Sequence, residues 1–221
     1  MARHERSCGT GRLLMGLAWV VLLLGLWQWG SEITDVRQGI TAPMTGDMAA
    51  VGRPPQTELP SAATPLSQAA PLRVDIPDIG VQAPVVPRGL DGRGAVDPPS
   101  YDQPGAVGWY QAGVAPGAAG TALFVGHVDT ESKPAVFHRL SGLRPGAVVR
   151  VARDDGRVAR FTVEDVKVLA RDTFDARQAY GPREPGRAEL RLITCGGSYD
   201  RARHTYSANV VVSAYLTGVG R

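Results

Sequence analysis

The sequence predicts an all-β domain closed, or nearly closed, into a barrel. Short apolar segments with two-residue alternation recur between residues 72 and 215, and turn signals separate them: Asp91-Gly92, Asp97-Pro98-Pro99, Pro145-Gly146 and Asp154-Asp155-Gly156. About 150 residues follow position 71, enough for one domain with its own core. So many short strands need their edges hidden, and closure is the direct way to do it.

The elements follow in order. Arg3, Arg6 and Arg12 mark a basic segment, residues 1–12, ahead of an uncharged apolar run from Leu13 to Trp29. At about 1.5 Å per residue in a helix, residues 13–29 are near the lower length limit for crossing a hydrocarbon core. The basic flank orients the amino terminus to the cytoplasm, and Trp27 and Trp29 suit the outer interface. Gly30-Ser31-Glu32-Ile33 is a poor cleavage site, which favours a retained single-pass anchor over a removed signal peptide. Residues 30–70 lack periodicity and are rich in Pro, Ala, Gly, Thr and Ser, so an extended linker is expected, with an ordered extension wrapping the domain as the alternative.

In the domain, 71–221, strands are expected at Leu72–Ile76, Val81–Val86, Ala122–Val125, Val148–Ala152, Ala159–Leu169, Glu189–Thr194 and Asn209–Tyr215. The Asp-Asp-Gly turn joins two of them as a hairpin. One or two short helices are expected, near Pro104–Gln111 and around Ala135–Leu140.

The net charge of +3 lies partly in the anchor flank, and basic and acidic residues are mixed elsewhere, which argues against a nucleic-acid partner. Only two cysteines are present, Cys8 before the apolar run and Cys195 in the domain. An anchored chain keeps them on opposite sides of the membrane, unable to pair. An exported domain with one unpaired thiol calls for a functional explanation. With one cysteine and scattered His127, His138 and His204, no metal-ligand spacing stands out, and no cofactor is expected.

Two strand termini carry chemistry. Glu189-Leu190-Arg191-Leu192-Ile193-Thr194-Cys195-Gly196-Gly197 is a two-faced strand that ends on the thiol, and Thr121-Ala122-Leu123-Phe124-Val125-Gly126-His127 ends on an imidazole. Each residue alone reads as structural, a buried small hydrophobe or a hydrogen-bonded histidine. Together, thiol and imidazole are the pair that cysteine acyl transfer requires.

Gly126-His127-Val128-Asp129 followed by Leu192-Ile193-Thr194-Cys195 resembles the sortases, membrane-anchored cysteine transpeptidases of Gram-positive bacteria. The resemblance runs from about residue 72 to about 216. It takes in Arg73-Val74-Asp75-Ile76-Pro77, Phe137-His138-Arg139-Leu140, Leu143-Arg144-Pro145-Gly146 and Asn209-Val210-Val211-Val212, and looks most like the actinobacterial class F branch. It implies a closed eight-stranded barrel, Cys195 as nucleophile, His127 as acid and base, and an arginine after the cysteine to hold the oxyanion. Arg203 and Arg201 are candidates. Arg203 is preferred because it lies nearer the next strand, although His204 stands where close relatives lead one to look for the arginine. Asp129, two residues past His127, either orients it or serves a turn.

The implied substrates are an exported protein with an LPxTG-like carboxy-terminal sorting signal and an amine of a peptidoglycan precursor or a pilin lysine. The implied site of action is the outer face of the cell membrane. Two other readings stand beside this one. A non-catalytic tethered barrel that binds peptide or wall polymer keeps the fold without a converging site. A cysteine L,D-transpeptidase normally shows a histidine close to a Ser-x-Gly-Cys string, which Thr194-Cys195-Gly196 is not.

Overall fold

The computed structural model describes residues 58–221 except Arg93 and His204. The expected basic segment, membrane span and most of the expected linker lie outside the described residues. Among those described, no helix is long and apolar enough to cross a membrane.

Eight strands close into one barrel: β1 (Pro71–Ile76), β2 (Val81–Arg88), β3 (Val107–Tyr110), β4 (Gly120–Val125), β5 (Val148–Arg153), β6 (Val158–Ala170), β7 (Ala188–Asp200) and β8 (Thr205–Gly220). The order around it is β1-β2-β3-β4-β7-β8-β6-β5, and β5 pairs back onto β1. The pairs β2–β3 and β4–β7 are parallel; the others are antiparallel. A short helix α1 (Ala176–Tyr180) lies in the β6–β7 connection.

Period-two alternation decides which side chains fill the barrel. On β7, Ala188, Leu190 and Leu192 join Phe124, Phe161 and Leu216 in the interior, while Glu189, Arg191 and Ile193 point outward. The outward residues are nevertheless buried, because the β6–β7 connection lies over them: Arg191 Nη2 donates to the Gly181 carbonyl, and Ala179 packs with Ile193. A second apolar cluster forms on this outer face from Val125, Ile193 and Val211, with Val96 of the β2–β3 loop and Ala179 beside α1's Tyr180.

Two expectations need correction. The helix expected near Pro104–Gln111 is strand β3: Val107 pairs with Val85 of β2 and is fully buried, and Trp109 pairs with Phe124 of β4. Pro104-Gly105 closes a turn there, with the Ala106 N–H donating to the Gln103 carbonyl. The helix expected around Ala135–Leu140 is a turn running into one 3-10 turn at Leu140–Gly142. Its backbone is committed elsewhere, since the N–H groups of Ala135, Val136 and Phe137 donate to the carbonyls of Val128, Pro104 and His127.

The stretch read as linker up to residue 70 is docked from Pro60 onward. The Ala63 N–H donates to the Leu216 carbonyl, the Leu66 N–H to the Gly117 carbonyl, and Ala63 and Leu66 pack on the core. The wholly buried Arg153 side chain donates to the carbonyls of Ser67 and Pro116 and pairs with Asp155. This part is an ordered extension.

Candidate active site

Strand β4 runs parallel to β7 with Phe124 opposite Leu192 and Val125 opposite Ile193. His127 and Cys195 each follow that last pair by two residues. Both therefore leave the barrel at the same end and on the outer face. The close approach of the Ala135–Phe137 turn to this strand end requires Gly126, because a Cβ there would lie 2.7 Å from Val136 and Phe137 side-chain atoms. After the cysteine, Gly197 takes φ +78°, and a Cβ on it would meet the Ser207 hydroxyl at 2.4 Å. That glycine carries the irregularity in the β7–β8 pairing between Gly196 and Tyr199.

His127 is held on two sides. Its Nε2 lies 2.7 Å from the Pro99 carbonyl oxygen, which can only accept, so Nε2 carries the proton. The Tyr101 ring stacks on the imidazole with centroids 4.1 Å apart and planes 21° off parallel. Both partners come from the β2–β3 loop. Cys195 is a free, exposed thiol. The protein around it nonetheless excludes enough water to push the thiol above its ordinary value; the positive charge of Arg171 works against this and the negative charge of Asp129 adds to it.

Asp129 is engaged by the Tyr206 hydroxyl, which donates to its Oδ2. That bond, with burial and the same negative charge, pushes Tyr206 up to about 12, so it remains a protonated donor through the neutral range. The aspartate also forms an isolated bridge with Pro134. Its recorded partner is thus β8 rather than the imidazole.

Arg203 sits on the turn between β7 and β8, with its side chain 82% exposed and its Nε 3.8 Å from Asp200 Oδ2. It lines a cavity of about 1010 Å³ that also receives Arg171, Ser198, Thr205, Tyr206 and Ser207. Arg201 is exposed on the same turn, and His204 lies outside the described residues. The structure brings Cys195 and His127 to one end of one sheet, and places Arg203 at the rim of the adjoining cavity. Sequence reading missed Arg171, Pro99, Tyr101 and Tyr206. Arg171 does follow a predicted strand, Ala159–Leu169, by two residues, but the strand order that brings it near Cys195 is not written locally. Among the described residues no cluster of His, Cys, Asp and Glu is placed to hold a metal ion.

A thiol and an imidazole at neighbouring strand ends are the pair of groups that cysteine acyl transfer requires. The chain belongs to the sortase family: the sortase domain matches residues 74–217. Members of that family are cysteine transpeptidases. Solved structures with the same fold include the SrtA sortase from Actinomyces oris (TM-score 0.53, 19% identity, covering 75% of this chain and 89% of that one). Sortase A from Corynebacterium diphtheriae, in a lid-mutant form, gives a TM-score of 0.51 at 16% identity, over 69% of this chain and 73% of that one. Sortase C-1 from Actinomyces oris gives 0.50 at 23% identity, over 66% and 73%. No curated protein matches the chain.

Proposed function

We propose that this chain is a membrane-anchored sortase of the class F type. In this reading it cleaves an LPxTG-like sorting signal on an exported protein and passes the acyl group to an amine of a peptidoglycan precursor or a pilin. The observation that supports the reading is the Val125–Ile193 parallel register, which His127 and Cys195 each follow by two residues. The class F assignment rests on the two motifs together with the Arg73-Val74-Asp75-Ile76-Pro77, Phe137-His138-Arg139-Leu140, Leu143-Arg144-Pro145-Gly146 and Asn209-Val210-Val211-Val212 strings, and the anchor on the apolar run 13–29.

Cys195 Sγ, as thiolate, attacks the threonine carbonyl carbon, and the carbonyl electron pair moves to oxygen. Collapse of this tetrahedral intermediate breaks the C–N bond, and His127 as imidazolium gives a proton to the departing amine. A thioester on Cys195 remains. The neutral imidazole then accepts a proton from the incoming amine, which attacks the thioester and frees the thiolate. While Nε2 is bonded to Pro99, Nδ1 is the nitrogen that exchanges protons.

The test incubates the full chain with an LPxTG-type peptide and reads intact mass. An adduct on Cys195, absent in Cys195→Ala and discharged by added amine, is the expected result. If no adduct forms across varied peptides while the folded thiol resists a general alkylating reagent, the transpeptidase reading fails and a binding barrel replaces it.

A further inference from the structure

The reaction needs a cation where negative charge develops, and three strands show which one is carried there. Strand β6 pairs with β8 so that Leu169 lies opposite Asn209 and Ala170 opposite Ala208. Strand β8 pairs with β7 so that the same Asn209 lies opposite Cys195 and the same Ala208 opposite Gly196. Leu169, Asn209 and Cys195 therefore form one row across three strands, and residues directly opposite share a face. Leu169 packs against the outer cluster of Ile193 and Val211, which places the row's side chains on the outer face.

Arg171 follows Leu169 by two residues, at the start of the 3-10 turn Arg171–Thr173 that takes over where β6 ends at Ala170. Its Nη1 donates to the Thr205 hydroxyl of β8, and its side chain lines the cavity formed with Gly197, Ser198, Tyr206 and Ser207. One N–H is used by Thr205, and a guanidinium has five, so donors are left for a ligand. Among the described residues no carboxylate lies within ion-pair distance of Arg171. Both arginines are exposed, but Arg203, which reaches the same cavity from the turn, faces the counter-charge of Asp200 at 3.8 Å. Arg171 is also the cation whose field opposes the upward push on the Cys195 thiol.

We propose that Arg171, carried just past the end of β6 and tethered to Thr205, is the catalytic arginine, and that its free N–H groups hold the oxyanion formed when Cys195 attacks the peptide carbonyl. This rests on the transpeptidase reading above. The carbonyl pair that moves to oxygen on S–C bond formation is received by those N–H groups, and it returns when the C–N bond breaks. Arg203 is a rim residue.

Two readouts on the full chain separate the possibilities: the rate of thioester formation with an LPxTG-type peptide, and the pH midpoint of Cys195 alkylation by iodoacetamide without peptide. The groups around the thiol are Asp129 and His127 from the segment after β4, Tyr101 from the β2–β3 loop, Tyr206 on β8 and Arg171 in the 3-10 turn after β6. In Arg171→Gln, acylation is expected to fall by roughly 10²- to 10³-fold and the alkylation midpoint to move to higher pH. Arg171→Lys restores the midpoint and part of the rate, and Arg203→Gln changes both by no more than about threefold.

The proposal is overturned if Arg203→Gln produces the loss and Arg171→Gln does not. It is equally overturned if Arg171→Gln slows acylation with an unmoved midpoint and a lowered melting temperature, since that marks a structural role. A wild-type chain that forms no thioester refutes the transpeptidase reading itself. The alkylation arm then decides alone whether Arg171 is the cation of this site.

Discussion

Cys195 is exposed, yet its environment favours the neutral thiol. For an acid, a raised pKa means that the proton is kept to higher pH, so the thiolate fraction near neutrality is below that of an ordinary cysteine at about 8.5. The rate of iodoacetamide alkylation should accordingly rise with a midpoint above that of a free cysteine, and a midpoint at or below it would contradict the electrostatic picture. The imidazole is fixed by the Pro99 carbonyl and the Tyr101 ring rather than by Asp129. A stacked pair is worth about 0.5–1.5 kcal/mol, and the 68% exposure of Tyr101 argues for the lower part of that range. Tyr101→Ala should therefore slow thioester formation by roughly tenfold or less, with Tyr101→Phe close to wild type, in a single-turnover mass assay. Unchanged rates in both variants would mean that the stack does not orient the imidazole.

At the level of elements, β7 is the informative strand, because its outward face is charged and buried together. Glu189 accepts from the backbone N–H groups of Arg183 and Glu184 and from the side chains of Arg187 and Arg191. Burial alone pushes its carboxyl up. The Arg183 N–H, the Arg191 guanidinium and the Glu184 N–H outweigh this and hold it below the usual carboxylate range. A depressed carboxylate contributes stability that is present above its unfolded value, about 4.3, and is lost as pH falls through the folded one. Glu189→Ala leaves two arginines without their shared partner and frees the last residues of the β6–β7 connection. It should cost about 3–5 kcal/mol in urea unfolding at pH 7, and the difference from wild type should shrink in acid. A cost below about 1 kcal/mol would show the cluster to be solvated. Both strand ends that carry His127 and Cys195 were legible in the sequence, because alternation and the glycines after them are local signals. Strand β3 was not, since Val107-Gly108-Trp109-Tyr110 owes its conformation to β2 and β4, and a proline before a short apolar run reads equally well as a helix start. Arg171 was hidden for the same reason: its nearness to Cys195 depends on β6 and β7 both pairing with β8.

Over the whole molecule, closure was legible as a need to hide edges, but the pairing of β5 with β1 and the docked extension were not. The extension reads as linker because its prolines and small residues have no period, and its order comes from groups the barrel leaves open. The Tyr215 hydroxyl donates to the Pro60 carbonyl, the Ala115 N–H to Gln68 Oε1, and the Leu216 and Gly117 carbonyls accept from Ala63 and Leu66. Arg153 depends on it most. Its side chain is wholly buried, and one of its three recorded acceptor residues, Ser67, belongs to the extension. Deleting residues 58–70 would remove this carbonyl and uncover the guanidinium, along with the apolar surface under Ala63 and Leu66. With each hydrogen bond worth about 0.5–1.5 kcal/mol net, a chain starting at residue 71 should be less stable than one starting at 58 by about 2–5 kcal/mol, read as a lower urea midpoint. The thiol lies on strand β7, away from these contacts, so alkylation of Cys195 in the folded fraction should match between the two chains. Equal midpoints would mean that the extension rests on the barrel without contributing to it. A changed alkylation rate at equal stability would mean instead that the extension acts on the site.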